Sequence, residues 1–229
     1  MEYLYETHMH TSEVSGCADS SAEQQVIAYK KRGYTGIIIT DHFINGFTSI
    51  PKRASWEETM RDVASGYREA KRAGDKCGLD VFFGWEYTIR GADFLTYGLD
   101  LDFLISHPGL DKLSIEKYSA IVRENGGYLA QAHPYRSEYY IEHNYPTAPH
   151  LLDGVEVFNS MDYEQSNEKA LAFAEKHGLA MQAGTDSHNT GNRRHRGGTV
   201  HYSGVALKKR AQTIHDLIDA IKTKNIRLI

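Results

Sequence analysis

Short apolar runs alternate with amphipathic helical stretches along the chain. Leu4 to His8 reads as a first strand. Ser20-Ser21-Ala22-Glu23 has the form of a capping box, and the helix it predicts carries Val26, Ile27 and Tyr29 to a stop at Gly33. Gly36-Ile37-Ile38-Ile39-Thr40 is apolar on both faces, as a buried parallel strand requires. A helical stretch from about Trp56 to Arg72 ends at Gly74, and Val81 to Trp85 forms a third strand. Phe94 to Leu99 predicts a short return strand. A helix from Ser114 to Glu124 stops at Asn125-Gly126-Gly127 and is followed by a strand at Tyr128 to Ala132. Gly154 to Phe158 is a strand, about Asn167 to Lys176 a helix, Leu179 to Gly184 a strand and Ser203 to Leu207 a late one. Thr213 caps a final helix with Ile214, Leu217, Ile218 and Ile221 on one face. Repeated β-then-α units of this kind predict an α/β fold on a parallel sheet, either a closed barrel or a doubly wound sheet.

The chain has 229 residues, enough for one α/β domain with a full core and short for two. No internal repeat or linker-like tract divides it, so residues 1–229 are expected to form a single domain. With 41% hydrophobic and 24% charged residues it is a globular rather than a disordered chain. The 26 Lys and Arg against 30 Asp and Glu leave a net charge of −4, which supplies no global field for a polyanion. Only Cys17 and Cys77 occur, with no disulfide framework, and this favours a reducing compartment. No apolar run approaches the ~18 residues of a membrane span, and Met1 to Glu6 lacks the basic and apolar regions of a signal peptide. A cytoplasmic protein with no membrane partner is therefore expected.

The 12 histidines change the picture. His8-Met9-His10, Thr40-Asp41-His42, Gly84-Trp85-Glu86, Ala132-His133-Pro134 and Gly184-Thr185-Asp186-Ser187-His188 each follow a predicted strand. In a parallel barrel those strand ends emerge on one face, where active sites are built. His8 and His10 are two apart, so at a strand end they share a face. Any one motif has an ordinary reading, such as a helix cap at Asp41 or a salt bridge at Glu86, but together they converge on metal binding. Imidazoles mixed with carboxylates suit zinc, manganese or iron. The set exceeds what one tetrahedral ion needs, so two or three divalent ions are expected.

In order and spacing these five motifs resemble those of the PHP (polymerase and histidinol phosphatase) domain family, over residues 8 to 188. The resemblance implies a distorted, TIM-like (βα)7 barrel with up to three metal ions at the strand C-termini, and hydrolysis of phosphoesters through a hydroxide that bridges metals. It implies that His8, His10, Glu86 and Asp186 hold one ion. Glu86 then bridges to a second, held also by His133 and a residue soon after Glu86. His42 and His188 hold the third with a residue shortly after His10. This sequence departs from the pattern twice. Ser15 and Gly16 stand where the first loop usually supplies Asp or His, so Glu13 is the expected substitute, with Asp19 the runner-up. Ala92-Asp93-Phe94-Leu95 stands where a His often follows Glu86, so Asp93 takes that role, with His107 as competitor. Carboxylates at both places would harden the site toward manganese or iron.

Other polar residues carry weaker expectations. Arg136, three after His133, is the candidate for bidentate contact with a substrate phosphate, with a surface role as the alternative. Arg90 is a weaker candidate, and residues 193–196, Arg-Arg-His-Arg, form a basic stretch read as a solvated loop. His143, His150 and His201 read as loop histidines, and His177 as a helix-end cation. Nothing in the sequence visibly activates Cys17. Glu156 reads as a structural or ligand-supporting residue. The leading expectation is hydrolysis of a small phosphomonoester, with nucleic acid entering only as a short substrate end. The alternatives are an amidohydrolase, against which the lack of a strand-end lysine counts, and a scaffold module with a decayed site.

Overall fold

The computed structural model describes residues 2–51, 53–138, 141, 145–190 and 202–229. Its strands are β1 (Tyr3–Glu6), β2 (Gly36–Ile39), β3 (Asp80–Ile89), β4 (Ala92–Tyr97), β5 (Tyr128–Gln131), β6 (Gly154–Asn159), β7 (Ala180–Gly184), β8 (Val205–Leu207) and β9 (Ile226–Leu228). The helices are α1 (Ala22–Lys31), α2 (Trp56–Val63), α3 (Ser65–Cys77), α4 (Leu101–Ser106), α5 (Ile115–Glu124), α6 (Glu164–His177) and α7 (Ile214–Lys222). The sheet order is β7-β6-β5-β4-β3-β2-β1-β8-β9.

The first seven strands curl until the end of β1 meets the end of β7. Met9 and Ser187 form a parallel bridge there, and Thr7 Oγ1 donates to the Ala183 carbonyl at 2.9 Å. Buried Glu6 ties the same seam, its Oε1 accepting from the backbone N–H of Thr7, His8 and Thr185 at 2.9–3.0 Å. The expected barrel-like α/β fold is thus present, with two differences. β4 runs antiparallel to both β3 and β5, because the turn at Arg90-Gly91 is too short for a crossover helix. β8 and β9 add an antiparallel extension along β1.

Three segments differ from the sequence reading. The helical stretch at 56–72 is two helices, broken at Ala64, and it runs on to a left-handed cap at Gly78. Gly74 does not stop it; a Cβ there would sit 2.6 Å from the Leu79 carbonyl oxygen, so the glycine permits close approach of helix and strand. α4 and β9, of six and three residues, are too short to leave a periodic signal.

Strand period two sets which side chains reach the barrel interior. On β3, Trp85 and Tyr87 face the helical layer, where Trp85 Nε1–H donates to Tyr118 Oη at 2.7 Å and the Tyr87 and Tyr118 rings stack at 3.7 Å. Glu86 between them therefore points inward. On β6, Val155 and Val157 join the outer core and Glu156 points inward. Met9 packs outward in the cluster with Val26, Tyr29 and Ile37, leaving His8 and His10 facing the bowl. Tyr97 closes the bowl's floor, donating to the Thr7 carbonyl at 2.6 Å and accepting from Gln182 Nε2 at 2.8 Å.

Gly184 is where fold and bowl touch most closely: a Cβ there would lie 2.6 Å from His8 Cβ and 2.7 Å from Glu156 Oε1. Gly184→Ala is therefore expected to destabilise the protein by about 1–3 kcal/mol, the range for overpacking. Denaturant unfolding of the two proteins checks this, and an unchanged midpoint would show that β7 yields freely.

Candidate metal centre

Eight candidate ligands lie within a strand or soon after its end. His8 and His10 follow β1, His42 follows β2, Glu86 lies in β3, Asp93 in β4, His133 follows β5, and Asp186 and His188 follow β7. His133 and Asp186 have positive φ, 29° and 53°, a backbone region costing about 1–3 kcal/mol for most side chains. Local bonds hold them there. The His133 N–H donates to Glu156 Oε2 at 3.0 Å, and the Asp186 carbonyl accepts from His188 Nδ1–H at 2.7 Å.

The outward nitrogen of three histidines is occupied, and this fixes the tautomer. His8 Nδ1–H donates to Glu156 Oε1 at 2.9 Å. His10 Nδ1–H donates to Ser15 Oγ at 2.9 Å, since that hydroxyl spends its own proton on Asp41 Oδ1 at 2.7 Å. His188 Nδ1–H is held by the Asp186 carbonyl. In the neutral rings, the form that binds a metal, the Nε2 lone pairs of all three then face inward. His8 Nε2 and His10 Nε2 are only 3.2 Å apart, and Asp186 Oδ1 stands 3.4 and 3.1 Å from them. Buried His42 Nδ1 makes no hydrogen bond although Glu86 Oε2 is 2.9 Å away. Lone pairs crowded in this way repel unless a cation lies among them. The donor set therefore fits divalent transition-metal ions.

Glu86 is the hub. Its Oε1 lies 3.3 Å from His8 Nε2 and 3.2 Å from His133 Nε2, while its Oε2 lies 3.4 Å from His10 Nε2 and 2.9 Å from His42 Nδ1. Ligand atoms gather in overlapping groups around it: His8, His10 and Glu86; His8, His133 and Asp186; Glu86, Asp93 and His133; and His10, His42 and His188. Burial raises the cost of every charge here, and the neighbours decide its sign. It opposes ionisation of Glu86, but His42 and His8, when protonated, outweigh it and hold the carboxyl well below its usual range. Burial likewise opposes ionisation of Asp186, where His8 and Arg136 win.

The structure brings His8, His10, His42, Glu86, Asp93, His133, Asp186 and His188 together. Two expected residues stand elsewhere. Glu13 turns away, its carboxylate accepting from the Ala22 N–H at 3.0 Å in the first turn of α1. Asp19 is exposed and belongs to none of the ligand groups found among the described residues. Arg136 does not present a free fork for phosphate. Its Nε–H donates to Asp162 at 2.6 Å, Nη1 to Asp186 Oδ2 at 2.7 Å and Nη2 to Asn159 at 3.0 Å. It clamps the outer oxygen of Asp186 instead. Asp93 Oδ2 stands 3.9 Å from His133 Nε2, with its other oxygen held by Thr88 Oγ1 at 2.6 Å. The competitor His107 caps α4 and lines a separate cavity of about 450 Å³ beside the first half of β3, with Phe82 and Phe83. His150 lies in a turn whose carbonyl accepts from Arg123, and His177 packs on Phe173 in the last turn of α6. His143, His201 and the basic stretch 193–196 lie outside the described residues.

Two contributors, Ser15 and Cys17, were not legible as site residues, and a third, Glu156, was read from the sequence as structural or ligand-supporting. Ser15, where a ligand was expected, joins His10 to Asp41, whose oxygens also take Thr11 N–H and Oγ1–H at 2.6 and 2.7 Å. Glu156 orients His8. Cys17 lies at the exposed mouth, its Sγ 3.0 Å from His188 Nε2. Burial pushes the thiol up, but contacts with His188 and His42 outweigh it and lower the pKa below its ordinary value.

A family model described as PHP-associated matches residues 164–192, the stretch that carries Asp186 and His188. No curated protein matches the chain. Among solved structures, the chain is similar to a two-domain protein containing a predicted PHP-like metal-dependent phosphoesterase from Bacteroides vulgatus, at 16% identity and a TM-score of 0.73, covering 100% of this chain and 65% of that one. It is similar also to a lesion-specific endonuclease from Pyrococcus furiosus, at 13% identity and a TM-score of 0.63, covering 100% of this chain and 58% of that one. A third is an amidohydrolase from Chromobacterium violaceum with bound sulfate and no metal, at 14% identity and a TM-score of 0.57, covering 97% of each. At these identities the likeness is one of fold. This chain spans 65% of the first structure's length. The shared fold and the matched segment agree with the PHP resemblance carried by the motifs. Among the described residues no helix is long and apolar enough to cross a membrane.

Replacing Glu156 by Gln keeps the shape but removes the charge that steadies His8. Loss of such an outer carboxylate typically costs about 10–100-fold in metal affinity. Competition against a chromophoric chelator is expected to show a weakening of that order, and equal affinity would remove Glu156 from the centre.

Proposed function

We propose that the chain is a metal-dependent phosphoesterase of the PHP type that hydrolyses a small phosphomonoester. The observation that carries this reading is Glu86, whose Oε1 lies between His8 and His133 and whose Oε2 lies between His10 and His42, so that one carboxylate reaches imidazoles of every candidate ion. His8, His10, Glu86 and Asp186 would hold one ion, and Glu86, Asp93 and His133 a second. His42 and His188 would contribute to a third. Manganese, iron and zinc all suit this donor set. Divalent ions bound here would supply Lewis acidity to a phosphoryl group and make water a nucleophile near neutral pH.

The chain's own residues prepare the place for that chemistry. Glu156, Ser15 and the Asp186 carbonyl lock three imidazoles with their lone pairs inward. Arg136 holds Asp186 so that one oxygen faces His8 and His10. The net charge of −4 favours a small substrate over a long polyanion. The near-complete ligand set weighs against a decayed scaffold module. An amidohydrolase with a bridging lysine is disfavoured by the strand ends of β5 and β6, which continue as Ala132-His133 and Ser160-Met161.

Glu86→Ala and Asp186→Ala are each expected to abolish phosphomonoester hydrolysis, by at least about 10³-fold, as loss of an electrostatic catalytic group does. Both proteins should retain the far-ultraviolet circular dichroism of the folded chain. A panel of phosphomonoesters, phosphodiesters, a short oligonucleotide and an N-acyl amino acid, assayed with manganese, zinc or iron, reads this out. Near-wild-type turnover in either variant would refute the proposal, and so would amide cleavage without phosphoester cleavage.

A further inference from the structure

The His10, His42 and His188 nitrogens lie within 4.8 Å of one another at the open side of the bowl. The PHP resemblance implies one more ligand in this group, from the loop after His10. The expected carboxylate, Glu13, is instead bonded to the first turn of α1. Ser15 is also used otherwise, between His10 and Asp41. What the loop brings to the edge of the group is Cys17, whose sulfur lies against His188 Nε2 although it stands outside the ligand clusters formed by the described residues.

Its position is specific. Cys17 Sγ is 3.0 Å from His188 Nε2, and that nitrogen carries a lone pair because His188 Nδ1–H is spent on the Asp186 carbonyl. His42, beside it, has a buried Nδ1 with no hydrogen bond. His10 stacks on His188 at 4.3 Å between centroids and lies 4.5 Å from His42. The loop is fixed at both ends of this short segment: Gly16 N–H donates to the Phe47 carbonyl at 2.9 Å, and Asp19 N–H donates to the His188 carbonyl at 2.9 Å. Cys17 is therefore held over the imidazoles by its neighbours' backbone.

We propose that the Cys17 thiolate is a metal ligand, completing a subsite with His42, His188 and the shared His10. This inference rests on the metal-centre reading above and deepens it. A sulfur donor makes this subsite soft, suited to zinc, while Glu86, Asp93 and His133 form a harder one. The centre is thus divided by ligand chemistry, rather than hardened throughout as a Glu13 ligand would have made it. On binding, the thiol releases its proton to solvent and the sulfur forms a bond to the ion; no electron transfer is involved.

Cobalt(II) loading of the whole chain tests this. In the wild-type protein, thiolate coordination is expected to produce a sulfur-to-cobalt charge-transfer band in the near ultraviolet. Cys17→Ser should lose that band and bind one equivalent less, and Cys17→His should regain the equivalent without the band. Thiol labelling offers a second readout with its own control, because Cys77 is the other exposed free thiol. Zinc should slow labelling of Cys17 at least tenfold and leave Cys77 unchanged. Cobalt uptake with no thiolate band, or equal labelling of Cys17 with and without zinc, would overturn the Cys17 assignment while leaving the rest of the centre standing. A wild-type protein that takes up no cobalt would overturn both.

Discussion

Two imidazole nitrogens held 3.2 Å apart, each with its proton committed elsewhere, are the constraint around which this molecule is organised. As neutral rings, His8 and His10 cannot relieve their repulsion by exchanging a hydrogen bond. Glu156 and Ser15 have already chosen their tautomers. Only a cation, or a proton trapped among Asp186, Glu86 and the two rings, settles the group. Burial favours the first solution, because a multivalent ion satisfies several lone pairs at once.

The fold exists in the form that makes this crowding tolerable. β1 delivers two histidines on one face, and the seam from Glu6 and Thr7 to β7 brings Asp186 against them. Large aromatic side chains on the back of β3 fix the direction in which Glu86 points. Gly184 leaves room for His8 and Glu156 to meet. Strain at His133 and Asp186 is confined to two residues whose backbone groups are bonded to other members of the same centre. Packing outside the barrel and polar bonds inside it thus serve the same few atoms.

Most of this was legible in the sequence, for reasons that can be named. Strand ends, period-two alternation and His-x-His spacing are local, so His8, His10, His42, Glu86, His133, Asp186 and His188 could be placed from pattern alone. The reversed β4 could be read as a return strand because the turn before it is too short for a helix. What failed was non-local. Arg136 has the right spacing for a phosphate contact, but Asp162 and Asn159, which occupy it, come from a different strand and loop. Glu13 is a carboxylate at a plausible distance along the chain, but the N-terminus of α1 captures it. Cys17 carried no motif, and its meaning depends on His188, which lies 171 residues away in sequence.

Anomalous diffraction from crystals of the metal-loaded protein tests the central claim most directly. At least two peaks are expected within about 2.0–2.2 Å of the Glu86 carboxylate, with Asp93 and His133 on one ion and His8, His10 and Asp186 on the other. An empty cluster at saturating metal, or a single ion bound by His107 with Asp93 turned to solvent, would contradict it.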